Sequence, residues 1–214
     1  EGGAGAGAEQ NSPRAVLRNV TLEQWQEALT RAPALCGFGV GNTPLVLAGP
    51  RLYLRRNWHC ERSIFNGIRQ RLQEHNFHQS DIQPASVREM LDQLFTSDPK
   101  PEGQAVHWQK VACAVAATRA FSVITGGPGT GKTTTVVRLL ALLQALQSQA
   151  GAPFLKIRLA APTGKAAARL SESISRAIGD LNLSALPEDE AVKIRAAISC
   201  QVTTLHRLLG RRLG

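Results

Sequence analysis

The sequence predicts an α/β fold, with a parallel sheet in its C-terminal half and a small, mainly helical domain with a β-hairpin before it. Two observations support this prediction. After residue 103, β-prone runs alternate with helix-like runs, an order typical of parallel sheets with right-handed crossovers. Before residue 98, amphipathic helix patterns surround one pair of short β-prone runs. Between them, Asp98 to Gly103 holds two prolines and a glycine, which predicts a domain boundary there.

The first domain is predicted over residues 15–103, after a glycine- and alanine-rich linker or disordered segment at residues 1–14. Thr21 to Gln24 has the spacing of a capping box, and it predicts a helix that ends before Pro33. The hairpin and the two helices after it complete this domain. Their predicted positions are strands at Pro44 to Ala48 and Leu52 to Arg55, a helix from Trp58 to about Glu74, and a helix capped by Ser86 to Glu89.

The second domain is predicted over residues 104–214, as an alternation of helices and strands. Its predicted elements are a helix at Trp108 to Arg119, a strand at Phe121 to Thr125, a helix at Lys132 to Gln149, a strand at Leu155 to Ala161 and a helix at Lys165 to Ile178. Glu188-Asp189-Glu190 follows a proline and predicts the start of a further helix.

A glycine-rich loop lies between the first strand and the helix that follows it. The stretch from Gly126 to Thr133 fits the pattern G-x-x-x-x-G-K-[ST], in which backbone N–H groups surround a phosphate. Lys132 is expected to reach the β- and γ-phosphates, and Thr133 to offer its hydroxyl to Mg²⁺, so both receive a catalytic role. A glycine-rich turn with a chance lysine is the alternative. The predicted nucleotide-binding residues of the loop are Gly126, Gly127, Pro128, Gly129, Thr130, Gly131, Lys132, Thr133 and Thr134.

Two further places in the second domain carry residues that suit nucleotide or nucleic acid. Gln109 stands at the head of the helix before the loop, and its amide could pair with adenine N6 and N7, which favours ATP. At the end of the second predicted strand, a hydroxyl, a glycine and a lysine open a helix and suit a backbone phosphate. The alternative there is an ordinary strand-to-helix turn with solvated cations. The predicted DNA contacts are Pro162, Thr163, Gly164, Lys165, Thr204 and His206.

Composition narrows the choice of partners. The 214 residues contain 25 Lys and Arg against 16 Asp and Glu, a net charge of +9 that favours a polyanionic partner such as nucleic acid, although solubility also explains a modest excess. No apolar run is long enough for a membrane span, and the first residues have neither the basic n-region nor the apolar h-region of a signal peptide, so we expect a cytoplasmic protein with no membrane partner. Since the four cysteines are isolated from each other, we expect reduced structural thiols.

These motifs together resemble those of superfamily 1 DNA helicases, and more narrowly those of the RecD family, the alpha subunits of exodeoxyribonuclease V (RecBCD). The stretches that carry the resemblance are Trp108 to Ala112, Ile124 to Val136, Arg158 to Leu170 and Thr203 to Gly210. In the first domain, Pro44 to Leu47, Arg51 to Leu54 and Trp58 resemble the RecD region that contacts the RecC subunit. The resemblance covers the chain from about Thr21 to Gly210.

The resemblance implies a RecA-like P-loop NTPase lobe with ATP and Mg²⁺ as cofactors. It implies an ATP-driven 5′-to-3′ translocase on single-stranded DNA that works beside RecB-like and RecC-like subunits of a heterotrimer in double-strand break repair by recombination. Gln109, Lys132 and Thr133 would then bind the nucleotide and its Mg²⁺. The predicted DNA contacts would hold the strand without reading its sequence.

The chain departs from a complete motor of this family. Hydrolysis needs a carboxylate for Mg²⁺, a residue that orients water and an arginine finger. Glu188-Asp189-Glu190 is the only acidic cluster after the loop, and its pattern is that of a helix start. We therefore expect an N-terminal fragment, truncated before the family's motif II, that binds nucleotide weakly and is inactive in hydrolysis on its own. The alternatives are a stand-alone RecD-like helicase, a nucleotide-sensing module that docks a protein, and a P-loop kinase of a small molecule.

Overall fold

The structure is a computed structural model that describes Ala15 and residues 18–73, 83–96 and 106–210. The chain divides into two compact units, Glu1–Arg69 and Gln70–Gly214. The linker predicted at residues 1–14 and the boundary predicted at Asp98 to Gly103 lie outside the described residues. The predicted domain limits therefore stay predictions.

The first unit contains a capped helix, a small sheet and most of a long helix. Helix α1 (Leu22–Thr30) begins at Thr21, whose hydroxyl accepts a hydrogen bond from the Gln24 backbone while the Gln24 side chain accepts one from the Thr21 backbone. The predicted capping box is thus confirmed. The remaining elements are β1 (Cys36–Gly37), β2 (Leu45–Ala48), β3 (Arg51–Leu54) and α2 (Arg55–Gln73).

The predicted hairpin is formed by β2 and β3, which pair antiparallel with Ala48 opposite Arg51. Gly49 takes a φ of 56° in the two-residue turn, a left-handed conformation that glycine adopts without steric cost. The short strand β1 adds a parallel partner to β2 that the sequence pattern did not predict. Helix α2 begins at Arg55, directly after the hairpin, rather than at Trp58.

The second unit is built around one long helix, α5. Its elements are α3 (Pro84–Leu94), α4 (Trp108–Ala117), α5 (Lys132–Gln149), β4 (Leu159–Ala161), α6 (Gly164–Gly179), α7 (Glu188–Ala197), β5 (Val202–Thr204) and α8 (Leu205–Leu208). Helix α5 packs against α3, α4, α6 and α7, and the core of the unit follows from these contacts. Its fully buried side chains include Met90, Cys113, Val137, Leu142, Ile174 and Ile194.

Strands β4 and β5 pair in parallel, with α6 and α7 between them in the sequence. This arrangement confirms a mixed α/β unit with a parallel sheet. The helices predicted at Lys132 and at Glu188 begin at those residues, and the helix predicted at Lys165 begins one residue earlier, at Gly164. Among the described residues, no helix is both long and apolar enough to cross a membrane.

The predicted strand at Phe121 to Thr125 is wrong, because the structure assigns no strand to these residues. A strand is stabilised by hydrogen bonds to a neighbouring strand, and no described segment pairs with this one. It therefore lies outside the sheet, even though it leads directly into the glycine-rich loop.

The predicted strand at Leu155 to Ala161 is shorter in the structure and covers only Leu159–Ala161. Its partner β5 offers three residues, so the ladder has three pairs. At the beginning of the predicted strand, the Leu155 backbone forms hydrogen bonds with a side chain and not with another strand. The buried amide of Gln144 accepts a hydrogen bond from the Leu155 N–H at 2.8 Å and donates one to the Leu155 carbonyl at 3.0 Å.

The helix predicted from a capping box at Ser86 begins instead at Pro84. Gln83 is its N-cap and makes no side-chain capping bond. Proline explains the earlier start, since its fixed φ suits the first helical position and its missing N–H has no partner there anyway. This helix, α3, packs on α4 and α5 in the core of the second unit.

Candidate nucleotide-binding site

The glycine-rich loop is an exposed turn at the start of α5, a helix of 18 residues. Gly129 and Gly131 have φ values of 75° and 74°, in the left-handed region that side chains rarely adopt. These two conformations let the chain turn sharply into α5. The N-terminus of α5, with its unpaired N–H groups and the positive end of the helix dipole, therefore faces the loop.

Lys132, the first residue of α5, folds back over the loop that precedes it. Its ammonium donates a hydrogen bond to the Gly126 carbonyl at 2.7 Å and another to the Gly127 carbonyl. The Thr130 hydroxyl also donates to the Gly127 carbonyl, at 2.9 Å. The loop thus curves around the lysine head group, which places a full positive charge beside the helix N-terminus. Such a site is suited to an anion.

Gln109 contacts the same loop, although it lies on α4. Its amide nitrogen donates a hydrogen bond to the Thr130 carbonyl at 3.0 Å. A Cβ atom placed on Gly131 would lie 2.7 Å from that nitrogen, closer than side-chain contacts normally come. The structure therefore brings Gln109 to the loop, where its amide contacts the backbone. Its predicted role in recognising adenine stays a prediction.

Cys113 is a second contact between α4 and the loop's helix, and sequence reasoning assigned it no role at this site. Its thiol donates to the buried Thr135 carbonyl at 3.4 Å, and the Thr135 hydroxyl donates to the Gly131 carbonyl at 2.9 Å. Burial raises the pKa of Cys113 to about 12, so the sulfur keeps its proton and stays a donor. The sequence does hold a signal for this contact. Cys113 follows Gln109 by four residues, and this spacing places both side chains on one helix face.

Thr133 and Thr134 occupy the first turn of α5, where Thr133 is half-buried and Thr134 is exposed. Within the described residues, neither hydroxyl forms a hydrogen bond. A threonine hydroxyl here suits a magnesium ligand, because oxygen is the donor that Mg²⁺ prefers. Across the described part of the chain, no group of three His, Cys, Asp or Glu side chains could hold a metal ion.

The predicted DNA contacts lie around the ends of β4 and β5. Ala161 pairs with Thr204 across the sheet, so the turn after β4 and the turn after β5 are neighbours. The hydroxyls of Thr163 and Thr204 both accept a hydrogen bond within the protein. The Thr163 hydroxyl caps α6 by accepting from the Ala166 N–H at 3.2 Å, and the Thr204 hydroxyl caps α8 by accepting from the Arg207 N–H at 3.3 Å. Their predicted contacts to DNA stay predictions.

The other predicted DNA-binding residues are accessible. Pro162, Gly164, Lys165 and His206 are all exposed. Gly164 and Thr204 line the same surface groove, which runs along the β4–β5 pair, whereas the side chains of Lys165 and His206 do not line it. The structure thus brings the two predicted stretches together, with only part of each facing one groove.

Comparison with known proteins gives two matching families. Residues 109–213 match the family described as AAA domain, and residues 3–53 match the family described as RecBCD enzyme subunit RecD, N-terminal domain. The first match contains the loop, Gln109 and both predicted DNA-binding stretches. The second contains α1, β1, β2 and all but the last residue of β3.

Several curated relatives carry the name RecBCD enzyme subunit RecD. The protein of Mycolicibacterium smegmatis is 38% identical over 191 residues, which are 89% of this chain and 29% of the relative. The protein of Haemophilus influenzae is 39% identical over 88% of this chain and 28% of the relative. The protein of Mycobacterium tuberculosis is 40% identical over 76% of this chain and 24% of the relative. The chain thus spans less than a third of the length of these relatives.

Proposed function

We propose that this chain, which belongs to the RecD family of RecBCD enzyme subunits, carries the ATP site of an ATP-dependent DNA helicase subunit. One observation supports the nucleotide site above the others. The Lys132 ammonium, the N-terminus of α5 and the Gln109 amide meet at a single exposed loop. Charge, helix dipole and polar donors are thus combined where a triphosphate would bind.

The chain's own residues would then act as follows. Lys132 would exchange its bonds to the Gly126 and Gly127 carbonyls for bonds to the β- and γ-phosphates. Thr133 would hold Mg²⁺, which neutralises phosphate charge when bound. Gln109 would keep the loop in register with α4 and present its amide to adenine. These proposed contacts come from α4, the loop and α5.

For the whole protein we propose a 5′-to-3′ translocase on single-stranded DNA with a RecA-like lobe, acting beside RecB-like and RecC-like subunits. This proposal rests on membership of the family and on the excess of positive charge, +9 over the chain. Pro162, Thr163, Gly164 and Lys165, with Thr204 and His206, would hold the DNA backbone. Such contacts position a strand without sequence preference.

The surface of α2 supports a docking role for the first unit. No residue of α2 is buried, and Ile64 and Phe65 have exposed fractions of 63% and 50%. The guanidinium carbons of Arg55 and Arg62 lie 5.7 and 5.8 Å from the centroid of the Trp58 ring. Aromatic and arginine side chains of this kind are typical of protein interfaces. A RecC-like subunit is the proposed partner, and a pull-down of that subunit that survives Phe65→Ala together with Ile64→Ala would argue against this surface.

The nucleotide site can be tested by titrating the 214-residue chain with a fluorescent ATP analogue in the presence of Mg²⁺. Lys132→Ala should weaken binding at least tenfold, about 1.4 kcal/mol, because the phosphates lose their charged partner. Lys165→Ala removes the same charge from an exposed position at the start of α6 and should leave the affinity unchanged. Equal affinities of Lys132→Ala and the unsubstituted chain would refute the site.

The Lys132→Ala variant also tests the expectation that this chain hydrolyses little ATP alone. Steady turnover by the 214-residue chain that is lost in Lys132→Ala would contradict that expectation. Comparing ATP with GTP in a Gln109→Ala variant tests adenine recognition. The preference for ATP should fall if the amide contacts the base.

A further inference from the structure

The Gln109 amide reaches the glycine-rich loop from the first turn of α4. Gln109 is the second residue of that helix, so its position depends on how the start of the helix is held. Helix ends fray, because their first N–H groups have no partner within the helix. The contacts that hold the start of α4 therefore decide whether the Gln109 amide stays on the Thr130 carbonyl, 3.0 Å away.

His107 holds the start of α4 as its N-cap. Its Nδ1 atom accepts a hydrogen bond from the Lys110 N–H at 3.4 Å, and its carbonyl accepts one from the Val111 N–H at 3.1 Å. Both bonds span Gln109 and fix the backbone on either side of it. The preferred N-caps are Ser, Thr, Asp and Asn, whose short side chains need little help to point at the helix. A histidine in this place needs a further contact that orients its ring.

The further contact comes from Phe95, at the C-terminal end of α3. The His107 and Phe95 rings meet edge to face, with centroids 5.0 Å apart and planes at 76°. Phe95 is buried, and the guanidinium carbon of Arg138 lies 4.4 Å from the centroid of its ring. Arg138 belongs to α5, the helix that begins in the loop. One buried ring thus contacts both the cap of α4 and the helix behind the loop.

An ion pair between α3 and α4 lies next to Gln109 in the sequence. The Lys110 ammonium donates a hydrogen bond to the Asp92 carboxylate, and this contact holds the pKa of Asp92 below its usual value. The carboxylate is largely exposed, and exposed pairs of this kind contribute little to stability. The cap and the ring contact of His107 are therefore the main constraints on the first turn.

We propose that His107 is a positioning residue for nucleotide recognition, which packs against Phe95, caps α4 and so holds the Gln109 amide at the loop. This inference rests on the proposed function, in which Gln109 recognises adenine. Without the cap, the first turn of α4 frays and the Gln109 amide loses its fixed direction. Lys132 stays in place on α5, so the phosphates keep their charged partner. The expected signature is a loss of preference for ATP over GTP.

The test is a competition experiment, in which ATP and GTP each displace a fluorescent ATP analogue from the 214-residue chain in the presence of Mg²⁺. The measured quantity is the ratio of the two affinities. Gln109→Ala should lower this ratio about 2- to 12-fold, the equivalent of one neutral hydrogen bond. His107→Ala should lower it at least about twofold, and by no more than Gln109→Ala, because it acts through that amide.

Two further substitutions at His107 separate its cap from its ring. His107→Asn should restore most of the ratio, because asparagine is a strong N-cap. His107→Phe keeps a ring beside Phe95 but lacks the acceptor, so it should lower the ratio as His107→Ala does. In the Gln109→Ala background, His107→Ala should cause no further change. A purely structural role would lower stability without these effects on the ratio.

Arg195→Ala is the matched control. It removes a side-chain-to-backbone hydrogen bond from the same unit, the one from α7 to the Leu181 carbonyl at 2.7 Å, and should leave the ratio unchanged. If Gln109→Ala lowers the ratio but His107→Ala does not, or if His107→Asn gives no recovery, the positioning role is refuted and the proposed function stands. A ratio that Gln109→Ala leaves unchanged overturns the adenine contact and this inference with it. An unsubstituted chain that binds neither nucleotide overturns the proposed function as well.

Discussion

Replacing Gly131 with alanine tests how closely Gln109 and the loop are coupled. Gly131 has a φ of 74°, and its absent Cβ would lie 2.7 Å from the Gln109 amide nitrogen. Gly129 has nearly the same φ, 75°, but a Cβ there would meet nothing within 4 Å. Alanine at either position therefore costs about 1 to 2 kcal/mol for the left-handed conformation. Only at Gly131 must the Gln109 side chain also move.

That movement breaks the hydrogen bond from Gln109 to the Thr130 carbonyl, now 3.0 Å long. A bond of this kind contributes about 0.5 to 1.5 kcal/mol, and the exposed Thr130 carbonyl can turn to water, so the lower part of that range applies. The free energy of unfolding of Gly131→Ala should thus fall below that of Gly129→Ala by about 0.5 to 1 kcal/mol. The shared cost of the backbone conformation cancels in this difference.

The assay is urea denaturation of four variants: the two alanine substitutions, each with Gln109 intact and with Gln109→Ala. Removing the amide removes the clash, so the two positions should become equal within error in the Gln109→Ala background. An additional penalty at Gly131 that persists there would refute the reasoning. Equal losses at Gly129 and Gly131 with Gln109 intact would refute it as well.

Three further substitutions test other contacts. Gln144→Leu should lower the free energy of unfolding by about 1 to 3 kcal/mol in urea denaturation, because it leaves half-buried backbone groups of Leu155 and Ala197 without their hydrogen-bond partner. A loss below about 0.5 kcal/mol would contradict this. Burial raises the pKa of Cys113 from 9.0 to about 12, so only the unfolded chain loses this proton between those values. The free energy of unfolding should therefore fall as pH rises above about 9, by up to about 1.4 kcal/mol per pH unit more than in Cys113→Ala, and identical pH profiles would argue against the buried thiol. Thr163→Ala should lower thermal stability through loss of about 1 kcal/mol of helix capping, whereas Thr163→Ser should retain it.

Features encoded by a few neighbouring residues were predictable from the sequence. The capping box at Thr21, the antiparallel hairpin and the start of α5 at Lys132 are present as predicted. Each depends on local chemistry, such as a side chain that caps its own helix or a glycine that allows a left-handed turn. The loop pattern and its position before a helix were also predictable, because they too depend on consecutive residues.

The pairing of distant segments was decided only in the tertiary structure. Phe121 to Thr125 has the composition of a strand, yet no described segment pairs with it. Leu155 also lies in a β-prone stretch of sequence. Its backbone N–H and carbonyl, however, form hydrogen bonds with the Gln144 side chain and not with a neighbouring strand. Propensity describes what a segment can do alone, whereas a strand requires a partner.

The candidate site shows the same division. The sequence by itself determined the loop, its lysine and the helix behind it, because these are consecutive residues with a recognisable pattern. Only the tertiary structure decided that the Gln109 amide occupies the space beside Gly131, that Cys113 holds the first turn of α5, and that the His107 ring packs against Phe95 at the start of α4. The physical reason is that these contacts join residues far apart in the chain, and packing alone brings them within reach.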